Sequence, residues 1–244
     1  MRDEYEATVA GVAQTWNAWA ALGDDLDTDG WATPTRCPGW DVAALFAHVS
    51  MFPRAFAEAA PGEANTGEAN TGEANTGEAN TGEANTGRAK TGEAKTGEAK
   101  TGEVLTAVDI LRRFNEPGGV AYAMAGMNAD WAVSEAVSCA PADLVARFAV
   151  TGRQAVERLR AAGPATVVPW PAAGPTTLAE GLRIVLMESV VHLLDAFRAL
   201  GRPLEVPGPA LRETALLLAE MAPPVEFIEA ATGRSDRSPL PVLR

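Results

Sequence analysis

The pattern of apolar and polar positions divides the chain into helix-sized segments with one long gap. From Asp3 to about Leu22, Val9, Val12, Ala13, Trp16 and Trp19–Ala20 recur at helical spacing, which predicts an amphipathic helix ended by Gly23. Its tryptophans read as core. Asp24 to Pro34 is a polar loop with an Asp29-Gly30 turn. After Cys37-Pro38-Gly39, the run DVAALFAHVSMF predicts a second helix with Asp41 as its N-cap and His48 two turns in, and Pro53 is expected to bend it. Val104–Phe114 and Ala142–Ala162 are amphipathic, the arginines of the latter mostly a solvated face, with Arg153 and Arg158 able to turn inward. Val120–Val137 reads as a helix broken near Gly126 and Asn128. A proline-rich stretch, ATVVPWPAAGPTT, reads as an extended loop. Ala210–Met221 predicts one more helix before a tail that opens on Pro223-Pro224.

One segment departs from amphipathicity. In GLRIVLMESVVHLLDAFRALGR, from Gly181 to Arg202, the apolar residues surround most of the cylinder, and Thr177 with Glu180 resembles a capping box ahead of it. A helix that is apolar nearly all round is a buried helix. It carries Glu188 and His192 four apart on one face, with Asp195 three further on. A buried carboxylate requires a partner: a metal ion, an arginine or a proton.

Composition changes the picture in the gap. From Glu63 to Gly102, EANTG is repeated five times, followed by RAKTG and two copies of EAKTG, with no large apolar residue. Such a segment cannot offset its ordering entropy, so disorder is expected; a short pentapeptide β-helix is the alternative, weakened by Thr where an inward Leu is needed. The Lys-Thr-Gly triplets match a β-lactamase motif by accident, since no Ser-x-x-Lys accompanies them. The chain thus divides into 1–62, the first part of a bundle; 63–102, the repeat; 103–205, the rest of the bundle; and 206–244, a short C-terminal helix and tail.

The formal net charge of −12 disfavours nucleic-acid and anionic-membrane partners. No apolar run approaches a membrane span, the opening MRDEYEA is unlike a secretion signal, and two distant cysteines, Cys37 and Cys139, fit a reducing compartment. A cytoplasmic protein is expected. Cys37, without a Cys or His neighbour in sequence, is expected to pack rather than react.

The chain has two histidines, and both lie in apolar helical runs. His48 with the Glu188/His192 pair would supply a two-histidine, one-carboxylate set of the kind that holds catalytic zinc with one position open. The competing reading has each histidine satisfied in the core and Glu188 facing an arginine. Asp195 is the candidate to support His192 from behind, or else it too faces an arginine.

Two blocks carry a resemblance. TRCPGWDVAALFAH, followed much later by ESVVHLLDAFRALGRP, is similar to the mycothiol-dependent maleylpyruvate isomerase family within the DinB-like metal-binding superfamily; ATGR at Ala231–Arg234 resembles the tail of its single-domain members. The resemblance implies an all-α, DinB-like four-helix bundle with the low-complexity insertion between helices two and three. It implies a divalent metal, zinc foremost, held by His48, Glu188 and His192, and mycothiol as a small-molecule thiol co-substrate acting on an electrophile. Isomerase and thiol-transferase chemistry both follow from such a site. The reading from a different class is a non-catalytic metal-binding or interaction protein with the repeat as a tether. A basic or aromatic cluster around the triad would favour the enzyme, and a site without a pocket beside His48 the rival.

Overall fold

The computed structural model describes residues 2–58, 103–235 and 237–243, the side chains of 121–125 apart. The pentapeptide repeat at 63–102, with both expectations for it, lies outside the described residues. Four helical limbs form the bundle: α1 (Arg2–Asp24), α3 (Val42–Glu58), the pair α6 (Pro141–Ala146) and α7 (Gly152–Ala162), and α8 (Leu178–Ala199). A single helical turn, α2 (Thr28–Trp31), interrupts the first polar loop, capped by the Asp27 side chain. The all-α, DinB-like expectation is met.

The core follows from the helical stripes. Tyr5, Val9, Val12, Trp16 and Trp19 of α1 meet Val42, Leu45, Phe46 and Val49 of α3, Leu144, Phe148, Ala155 and Leu159 of α6–α7, and Leu182, Val185, Leu186, Val190 and Leu193 of α8. Trp19 lies at its centre, edge-on to Phe46 at 4.7 Å and stacked on Phe148 at 5.5 Å. Both buried indole N–H groups of α1 have an acceptor: Trp19 Nε1 donates to the Ser189 carbonyl (3.0 Å) and Trp16 Nε1 to the Ser189 hydroxyl (3.3 Å). Two α1 side chains therefore hold the turn of α8 that begins at Glu188. The third limb is not a plain α-helix. A π-helical turn at Arg147–Thr151 joins α6 to α7, and Gly152 follows it where a Cβ would lie 3.2 Å from the Trp16 ring. The glycine lets the limb approach α1 closely.

α8 is apolar all round because it has two apolar neighbours. Its second side carries Ile184 and Met187, which pack with Leu105, Ile110 and Leu111 around α4 (Ala107–Asn115) and with Leu217 and Met221 of α9 (Gly208–Met221). Thr177 caps α8, its side chain accepting from Glu180 N, but the reciprocal half of the capping box is not made. The Glu180 carboxylate accepts from Ala107 N at 2.7 Å instead, which ties α4 to α8.

Several elements differ from the sequence reading. The proline-rich loop is an antiparallel hairpin, β1 (Val167–Trp170) and β2 (Gly174–Thr177). Pro169 faces Pro175 in its register, so the two residues that cannot donate fall opposite each other. Leu105 docks beside it, with Leu105 N donating to Pro175 O and Thr176 Oγ1 to Leu105 O. α5 (Val120–Ser138) is unbroken, the cost of an isolated Gly being about 1 kcal/mol. α3 continues through the buried Pro53 to Glu58. Pro223 and Pro224, read as the start of a tail, instead open α10 (Pro224–Ala231), where a missing N–H at the first helical position costs nothing.

Candidate active site

Three elements converge on one end of the α3–α8 contact. Asp41 caps α3, its Oδ1 accepting from Ala44 N at 2.8 Å, and so sets where His48 falls. Four residues apart on α8, Glu188 and His192 face it. Ahead of α3, Thr33 to Val42 forms a tight loop closed by Val42 N to Thr33 O, Thr35 N to Trp40 O and Trp40 N to Cys37 O, with Gly39 at φ +80° to make the turn. The loop lays Trp40 against both imidazoles, 4.9 Å from the His48 ring and 5.8 Å from His192. Phe52, one turn beyond His48, stands at 6.5 Å.

The structure brings His48, Glu188 and His192 together. One ligand atom from each lies within 4.8 Å of the others. Glu188 Oε2 is 3.5 Å from His192 Nε2 and 3.9 Å from His48 Nε2, and among the described residues it pairs with no arginine. Both imidazole side chains are 15% exposed and the carboxylate 31%, so the cluster opens to solvent on the Glu188 side. Burial pushes the Glu188 carboxyl up, but the two imidazoles outweigh it and hold the group well below the usual carboxylate range. Burial likewise pushes His192 down, yet Asp195, Cys37 and Glu188 together raise it well above an ordinary histidine.

Asp195 touches both His192 and an arginine. Its Oδ2 lies 3.0 Å from His192 Nδ1, and its Oδ1 accepts a short bond from Arg36 Nε. Its side chain is 4% exposed. Burial raises its pKa, but His192 and Arg36 bring it below the ordinary aspartate value. The arginine foreseen near the cluster is therefore Arg36 rather than Arg153 or Arg158, both of which are exposed on α7.

Cys37 does more than pack. Its Sγ is 3.5 Å from Asp195 Oδ2, and Cys37, His192 and Asp195 form a second group with ligand atoms inside 4.8 Å. Sequence spacing offered no signal for this, because the loop folds back onto α8 across more than 150 residues. The CPGW block itself was the only hint. The second histidine lacks such support among the described residues: His48 Nδ1 is buried with no hydrogen-bond partner there. Two open hollows lie away from the cluster. One, at the end of the bundle, is lined by Leu22, Phe197 and Arg202; the other, beside the π turn, by Arg54, Arg147 and Thr151.

No curated protein and no solved structure matches the chain. A family model described as the mycothiol maleylpyruvate isomerase N-terminal domain matches residues 12–113 and 97–197, two overlapping segments that cover more than half of the chain. The first contains Arg36, Cys37 and His48, the second Glu188, His192 and Asp195. The chain belongs to the mycothiol maleylpyruvate isomerase N-terminal domain family.

Proposed function

We propose that His48, Glu188 and His192 hold one divalent metal ion, zinc by donor chemistry, and that the chain acts on a small electrophile with mycothiol as thiol co-substrate, as an isomerase or a thiol transferase. The observation that carries this reading is the state of Glu188. A carboxylate set among apolar residues faces two imidazole nitrogens and, among the described residues, no arginine. Two nitrogens and a carboxylate are a common zinc donor set. The fit extends behind the ligands: Asp195 stands at His192 Nδ1, where metal-bound histidines usually have a carboxylate, and holding a proton there would leave Nε2 to give up its own proton to an incoming ion.

A divalent ion held there would supply Lewis acidity that keeps a bound thiol as its thiolate, the nucleophilic form of sulfur. The chain's own residues do the rest. Asp195 fixes the tautomer and ring orientation of His192. Trp40 and Phe52 give the cluster an aromatic wall that excludes water from one side. The one-third exposure of Glu188 marks the side from which a ligand enters.

The aromatic wall and the nearby Arg36 favour the enzyme over the rival reading, a non-catalytic metal-binding or interaction protein. The rival draws its support from the two hollows lying elsewhere. Metal analysis of the purified chain, with and without a low-molecular-weight thiol, tests the proposal. Close to one equivalent of zinc is expected, with thiol altering the spectrum of a cobalt-substituted sample. Wild-type stoichiometry retained in both His48→Ala and His192→Ala would remove the triad from consideration.

A further inference from the structure

Arg36 stands out in an acidic protein. It sits in the loop that closes over the two imidazoles, and that loop is held by its backbone bonds and by Thr35, whose hydroxyl accepts from Cys37 N and donates to Trp40 O. Only one edge of its guanidinium is engaged: Nε donates to the buried Asp195, while the side chain as a whole is 59% exposed. Among the described residues the two terminal nitrogens have no acceptor. An arginine fixed through Nε and open at its outer nitrogens is preorganised to take a carboxylate, because little rotamer freedom is left to lose on binding.

The charges around it favour an anion. Glu188 and Asp195 are the two carboxylates of the cluster, and Arg36 is the cation facing Asp195. A dication held by the triad, two carboxylates and one guanidinium leave the loaded site with one net positive charge. The remainder of the chain is strongly negative. A positive, partly desolvated spot on such a surface selects among ligands by charge more sharply than it would on a basic protein. Trp40 of the same loop lies against both imidazoles of the site and gives it an apolar side.

We propose that Arg36 is the substrate-binding anchor of this site, its outer N–H groups gripping a carboxylate on the small ligand while the ligand's remaining body lies along Trp40. The carboxylate belongs to the electrophile, since the acyl group of the cysteine in mycothiol is already taken up in an amide. The inference rests on the triad reading for the chemistry and for the net positive charge of the site, whereas the open outer edge of Arg36 is a property of the loop and α8.

The test compares wild type, Arg36→Gln and Arg36→Lys, each analysed for metal first and then titrated with succinate, with neutral succinamide as the isosteric control, by ligand-observed NMR. Turnover with a carboxylate-bearing electrophile and with its neutral ester, at fixed thiol, reads whether the anchor acts on the electrophile's charge. The expected result is wild-type metal content in both variants, a loss of succinate affinity of about tenfold or more in Arg36→Gln, a smaller loss in Arg36→Lys, and no change for succinamide. A KM effect confined to the charged electrophile supports the anchor; an equal effect on charged and neutral electrophiles overturns it. Unchanged succinate binding in Arg36→Gln overturns the proposal. So does loss of metal in that variant with succinate affinity intact, since Arg36 would then only brace Asp195. Should wild type hold no metal, the triad reading falls by itself, and the succinate comparison on the metal-free protein still decides the role of Arg36.

Discussion

Two partly buried carboxylates on the bundle are held in opposite ways. Glu135 of α5 is answered by cationic side chains: Arg147 Nη2 donates at 2.7 Å and Arg54 Nη1 at 3.1 Å, and Cys139 Sγ lies 3.6 Å away. Arg147 continues the network to Ser50 Oγ and to the Cys139 sulfur, so α3, α5 and the π turn are joined at one point. Glu188 has similar exposure, 31% against 21%, but meets only imidazoles at 3.5 and 3.9 Å. In both, burial raises the carboxyl pKa and the partners lower it further than burial raises it. The outcome on the proton is the same and the design is not. Glu135 is saturated by permanent cations that cannot leave. Glu188 faces groups that can give up a proton and offer a lone pair, which is what a metal ion requires. The environment of a buried carboxylate, more than its burial, separates a structural ion pair from a candidate ligand.

The comparison breaks most sharply on matched substitutions. Glu188→Gln should lower metal affinity by more than about 100-fold, beyond what loss of an outer-shell partner causes, and should also lower the metal-free melting temperature, because the two imidazoles lose their carboxylate. A chelator titration alongside a melting curve reads both. Retained metal with a lowered melting point would instead place Glu188 in the class of Glu135. Asp195→Asn comes next. Removing the charge behind His192 should cost about 10- to 100-fold in metal affinity, whereas His48, whose Nδ1 has no partner among the described residues, offers no equivalent position to mutate among them.

Glu135→Gln should do the converse. Metal content stays at the wild-type value, and stability falls by about 1–3 kcal/mol, because two arginines lose a charged acceptor. Urea denaturation at neutral pH measures the loss. The smallest effect is on pH dependence. The folded pKa of Glu135 lies below that of an ordinary glutamate, so its stabilisation is complete above the ordinary value and disappears as pH falls through the folded pKa. The stability difference between wild type and Glu135→Gln should therefore narrow below about pH 4.5 and be flat above it. A difference that persists unchanged into acid would mean that the charge of Glu135 is not what stabilises the junction.

Much of the bundle was legible from local pattern. Apolar spacing located α1, α3, α4, α8 and α9, since each has a face or a whole surface that must leave water. Asp41 and Thr177 marked helix starts because a side-chain oxygen there satisfies a backbone N–H that the helix leaves open. The hairpin at 167–177 was hidden by its prolines, which argue against a strand until the register shows them opposite each other. α10 was hidden by Pro-Pro, which ends one helix and begins another with equal ease.

Helical spacing put Glu188, His192 and Asp195 on one side of α8 by itself, because 3.6 residues per turn leaves no other arrangement. It also made α8 a buried helix. Only the tertiary structure decided which neighbours those side chains meet: that His48 of α3 closes on Glu188, that Arg36 goes to Asp195 rather than to Glu188, that Cys37 comes within reach of His192's partner, and that Glu135 receives the arginines Glu188 lacks. Those pairings span 12 to more than 150 residues of sequence. No local propensity encodes them, since they are set by how the loop before α3 packs against α8 and by the close approach of the π-turned limb to α1.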